Sequence, residues 1–155
     1  MARSLGWLLS PFSVLKLSQM ICLLLIIVFF LDGRQQWRAY NIIFLFSFIF
    51  LICDFVTLVL HYFEVPKTSN NLPWLTIEKV WNIVVTVLSF VAVLVLAWDW
   101  YQMKNNRTRH HALPPPMTIG RDGWMRKLII VSVVSLITGI LFLMSYLRVK
   151  RYGIH

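Results

Sequence analysis

An all-α integral membrane protein, folded as an antiparallel four-helix bundle, is the fold class this sequence predicts. Three observations predict it. Apolar blocks recur along the 155 residues, over residues 11–31, 39–63, 76–101 and 126–147. Each is near the ~20 residues that a helix needs to cross a ~30 Å hydrocarbon core. The chain is 59% hydrophobic with a mean hydropathy of +0.72, more apolar surface than a soluble domain of this size can cover. The tight link from Asp32 to Arg38 makes the first two spans antiparallel neighbours. Lipid offers the backbone no hydrogen-bond partner, so each block closes its own bonds as a helix.

The first span is preceded by an apolar, interfacial segment carrying Leu5, Trp7, Leu8 and Leu9. Pro11 belongs in its first turn, where a missing N–H is tolerated. The block is too long for the apolar part of a signal peptide and reads as a retained span. The second span ends near Phe63, with Pro66 as its stop and Ser69, Asn70 and Asn71 as turn formers. Thr76 is the expected cap of the third span, and Glu78 in its first turn suits the helix dipole. That span closes on Trp98, Asp99, Trp100 and Tyr101, residues of the kind that gather at a membrane–water interface. The third link is the longest, and Pro114-Pro115-Pro116 excludes helix there. The fourth span follows Trp124.

Once the spans are removed, only short loops and tails remain, so a single membrane domain is expected. The net charge of +9 sits mainly beside the spans. It is expected to meet anionic lipid headgroups, with Arg148, Lys150 and Arg151 as the basic C-terminal contact. No basic folded surface is left for nucleic acid. Cys22 and Cys53 both lie inside spans, so no disulfide framework is implied and both read as small apolar residues.

Charge does not orient the chain. Arg3, Lys16, Lys67, Lys79, Arg148, Lys150 and Arg151 fall on the side of the termini, and the other eight of the 15 Lys and Arg residues fall opposite. Asn106-Arg107-Thr108 is a glycosylation sequon close to the end of the third span, where modification is expected to be inefficient. His110-His111 invites a metal reading, but adjacent histidines project differently, and no Cys or carboxylate set accompanies them in sequence. No metal, cofactor or catalytic residue is therefore expected, and no nucleophile–base pattern or phosphate loop is visible.

Ionisable residues inside the membrane are the sharpest site signal. Asp54 lies about 13 Å from the end of its span, with Thr57 and His61 on the same face. Lys16 and Gln19, about 7 and 12 Å deep, approach from the same side in the first span. Asn82 pairs with Glu78 one turn apart in the third. Lys16, Gln19, Asp54 and Asn82 are therefore expected to gather in one half of the bundle, as interhelical glue or as an ion site. In the fourth span, Ser135 and Gly139 make a small-xxx-small step that permits close helix approach.

The opening Pro11-Phe12-Ser13-Val14-Leu15-Lys16-Leu17-Ser18-Gln19 resembles that of MARVEL-domain proteins such as the synaptophysins. The third span, with Leu72-Pro73-Trp74, then Glu78 and Asn82, is similar to that family's third span. The resemblance implies a disulfide-free tetraspan with cytoplasmic termini, in the plasma membrane or endomembrane vesicles. It implies a role in membrane apposition, vesicle traffic or cell junctions, and association with sterol-rich membrane. Lys16, Gln19, Glu78 and Asn82 would be structural signature positions. Expected partners are membrane lipids, sterol among them, and other membrane proteins or further copies of the chain. Two other readings stand beside it: an accessory subunit of a larger membrane complex, and a small proton-coupled carrier centred on Asp54.

Overall fold

A computed structural model describes residues 4–68 and 72–153. A short 3-10 helix, Leu5–Leu9, leads into α1, Pro11–Phe30; α2 is Arg38–Tyr62, α3 a single turn Val65–Thr68, α4 Trp74–Lys104 and α5 Gly120–Tyr152. Among the described residues there is no strand. Among the described residues, four helices are long and apolar enough to cross a membrane: α1, α2, α4 and α5. The chain is thus an all-α, four-span membrane protein, as the apolar blocks predict.

Ser10 caps α1 by accepting from the Ser13 N–H at 3.3 Å, and Pro11 occupies the first turn behind it. The start of α4 differs from expectation. The helix begins at Trp74 rather than at a Thr76 cap, because the Pro73 carbonyl accepts from the N–H groups of Thr76 and Ile77 at 2.9 and 3.0 Å. Likewise α5 begins well ahead of residue 126. Hydropathy senses only the part of a helix that lies in lipid, and both helices project beyond it. At about 1.5 Å per residue, α4 and α5 are each roughly 45–50 Å long against a ~30 Å core. Pro66 does not itself stop α2: the helix ends at Tyr62, Glu64 turns with φ of 56°, and Pro66 sits in α3. Arg3 and the turn formers Ser69, Asn70 and Asn71 lie outside the described residues.

The helices pack in the order α2, α1, α5, α4, with α4 and α5 sharing the largest interface and α2 barely touching α4. The inward stripe of α1 is Ser13, Lys16, Gln19, Leu23, Ile26 and Phe30, at helical spacing. Val14, Leu17, Ile21, Leu24 and Val28 face outward. The pattern inverts that of a soluble bundle, because lipid tails are as apolar as leucine. Association then rests on close packing and on polar contacts between helices.

Gly139 illustrates the packing. A Cβ added there would lie 3.3 Å from the Ser89 Cβ and 3.5 Å from the Phe90 ring on α4. The Ser135–Gly139 step therefore serves a contact within the bundle. Gly139→Leu forces α5 away from α4 and is expected to cost about 1–3 kcal/mol. A lowered unfolding midpoint in a mixed-micelle titration would report it; an unchanged midpoint would mean the seam tolerates a larger side chain.

Candidate functional site

Charged side chains collect at the two ends of the bundle, and between them the buried residues are apolar or small hydroxyls such as Ser47, Ser89 and Ser135. At the end shared by both termini, Lys16 of α1 reaches across to two helices. Its Nζ lies 3.0 Å from Asp54 Oδ1 on α2 and 2.7 Å from Glu78 Oε1 on α4. All three side chains are almost fully buried. Trp81 Nε1 donates to the same Asp54 oxygen at 3.4 Å. Asn82 Nδ2 donates to Glu78 Oε1 at 3.1 Å and to the Glu78 carbonyl at 2.8 Å, holding the carboxylate toward Lys16. Phe142 of α5 lies under the ammonium, 5.6 Å from ring centre to Nζ.

Gln19 is buried in the same half but turns the other way. Its Nε2 donates to Ser145 Oγ at 3.0 Å and to the Leu141 carbonyl at 3.1 Å, both on α5. It is therefore a tie between α1 and α5 and not a partner of Asp54. The four expected residues do share one half of the bundle, but they make two separate contacts. Thr57 spends its hydroxyl on the Cys53 carbonyl, and His61 packs against Phe12 in a tilted pair with ring centroids 4.6 Å apart. Cys22 and Cys53 are free and half-buried. Arg148 is half-buried, while Lys150 and Arg151 are exposed on the last turn of α5, where cations complement the helix dipole.

The opposite end holds a second cluster that sequence reasoning missed. Asp99, fully buried near the end of α4, receives both histidines of the following link. His110 Nε2 lies 2.6 Å and His111 Nε2 2.8 Å from the same Oδ1. Tyr40 of α2 donates its hydroxyl to Oδ2, and Trp124 of α5 donates to that hydroxyl at 3.2 Å. Trp37 flanks both imidazoles, with centroids 5.0 and 6.0 Å away. The link is folded back onto the first one: Ala112 N–H donates to the Gln36 carbonyl at 2.7 Å. Lys127 bridges to Asp32 at 2.9 Å, and Arg121 clasps Asn106 and the Met103 carbonyl. The Asn106 side chain of the sequon is thereby engaged by the start of α5.

No protein-family model, curated protein or solved structure matches this chain. Its structure stands alone as the ground for a functional reading. Three assignments change on that ground. Glu78 is a direct partner of Lys16, and because α4 starts at Trp74 it lies beyond the first turn and not where a dipole role is expected. Asp99 is a buried acceptor, where its aromatic neighbours suggest an interfacial residue. The adjacent histidines do not diverge: their rings are 4.4 Å apart and reach one carboxylate oxygen. That carboxylate stands 11 and 12 residues upstream, too far for any local spacing rule. The only sequence signal was an acid placed at the end of a long apolar run.

Proposed function

We propose that this chain is a non-enzymatic tetraspan, MARVEL-like in layout, that organises membrane traffic, membrane apposition or cell junctions. One observation carries the reading: intramembrane charge is consumed in holding helices together. Lys16 is held between Asp54 and Glu78, all but closed to solvent. A carrier needs polar groups that open to water on alternate sides, and ionisable residues in a membrane otherwise serve as paired contacts. The outer faces of the spans supply broad aliphatic surface for lipid, sterol and partner spans. Cytoplasmic termini place Arg148, Lys150 and Arg151 against anionic headgroups.

A second reading, an accessory subunit of a larger complex, is favoured by the seam where α2 and α4 part. An apolar groove of about 260 Å³ runs there, with Ser47, Ala92 and Ser135 on its walls. Small residues of this kind let another span approach closely. Gentle-detergent purification of the tagged chain, with mass spectrometry of what accompanies it, separates the two. Many substoichiometric trafficking proteins, or sterol without a fixed partner, support the organiser. One partner at fixed stoichiometry makes the chain a subunit.

Reconstituted Asp54→Asn is expected to conduct protons no differently from the parent chain and to be recovered in lower folded yield. A parent flux that the substitution abolishes would instead establish a proton-coupled carrier.

A further inference from the structure

We infer that Asp99, His110 and His111 form a binding site for a divalent transition-metal ion of the zinc class, at the end of the bundle opposite the termini. The three residues offer two imidazole nitrogens and one carboxylate oxygen, all within 4.8 Å of one another. Imidazole selects zinc, copper, nickel and iron over magnesium and calcium, and two histidines with one carboxylate is an established donor set for such ions. A tetrahedral ion with bonds of about 2.0–2.1 Å sets its ligand atoms about 3.3 Å apart. From 2.6 and 2.8 Å, the two rings need draw back from Asp99 only slightly.

The surroundings resemble a built site more than a chance meeting of side chains. Metal ligands are commonly oriented by an outer ring of hydrogen bonds. Asp99 has one: Tyr40 holds its far oxygen, and Trp124 holds Tyr40. Asp99 is fully buried and the His111 side chain is 3% exposed, yet His111 Nδ1 has no hydrogen-bond partner among the described residues. Only Nε2 of this ring is held by a protein group, so the outer hydrogen bond to Nδ1 has to come from water in the adjoining cleft. His110, 21% exposed, marks the approach from solvent. His111 also borders a cleft of about 260 Å³ with Thr108 and Pro114. Three protein ligands leave a fourth position for water or for a donor from another molecule. An ion held by the two Nε2 atoms leaves Nδ1 of each imidazole as the hydrogen-bond donor. Because the histidines come from the link and Asp99 from α4, the ion clasps the link to the bundle.

The test uses the full chain, freed of any histidine tag, in nanodiscs. Zn²⁺ is titrated against a fluorescent chelator, and Co²⁺ is titrated while visible absorbance is followed. One equivalent of each ion should bind, and cobalt should show the intense bands of a four-coordinate site. Binding should weaken by at least about tenfold in H110Q and in H111Q, and by about tenfold in Y40F, which touches no metal. Zinc should also raise the unfolding midpoint of the parent chain but not of H110Q. If H111Q fails to fold, H110Q and the cobalt spectrum of the parent chain decide. Absence of cobalt bands in the parent chain, or equal zinc affinity in parent and H110Q, overturns the site and leaves a hydrogen-bonded cluster only.

Discussion

Replacing Lys16 with Met should strip most of the folded protein from a detergent extract. The substitution keeps the length and apolar stem of the side chain, so packing is nearly conserved. What it removes is the one cation between Asp54 and Glu78, at 3.0 and 2.7 Å. Two carboxylates would then face each other across α2 and α4 with no compensating charge. Breaking a buried ion pair on one side costs about 3–5 kcal/mol, chiefly because a buried charge is left uncompensated. The decisive comparison is the triple variant Lys16→Met with Asp54→Val and Glu78→Met. Replacing a whole buried ionic group by well-packed apolar side chains of similar volume is often close to neutral in stability. The single variant should therefore unfold earlier in a mixed-micelle titration, and the triple should recover most of the loss. A single variant as stable as the parent would show that this triad does not hold the bundle.

Trp124→Ala should be comparably severe at the other end. Trp124 is completely buried and is the largest of the fully buried side chains. Its ring packs on Tyr40 and Phe30, with centroids 5.5 and 6.2 Å away. It also lies so close to Gly33 that a Cβ there would come within 2.2 Å of the ring. Truncating such a residue costs about 3–5 kcal/mol, from lost contacts and the cavity left behind. The loss also frees Tyr40 from one hydrogen bond. Trp124→Phe separates the two effects: it keeps most of the ring and gives up the N–H donor, at about 1 kcal/mol. Equal unfolding midpoints for the Ala and Phe variants would contradict this, because ring volume would then carry none of the stability.

The solvent class, the number of crossings and one of the two polar ends were legible in the amino-acid order. Apolar length is a local property, and a bilayer reads it directly. Depth along a helix is also local, which is why Lys16, Gln19, Asp54 and Asn82 could be placed in one half of the bundle before any contact was known. Which of them meet was decided by tertiary structure. Gln19 and Lys16 sit less than one turn apart, yet the rotation of α1 between α2 and α5 sends Lys16 to Asp54 and Gln19 to Ser145. Helix rotation about its axis leaves no trace in hydropathy. The order α2, α1, α5, α4, and with it the open seam between α2 and α4, is likewise a product of packing. The Asp99 cluster lay furthest from view. It needs the end of one helix, a link of irregular backbone folded back through Gln36 and Ala112, and the Tyr40 and Trp124 donors from two other helices. No periodicity governs a link, so only the folded chain brings those groups to one point.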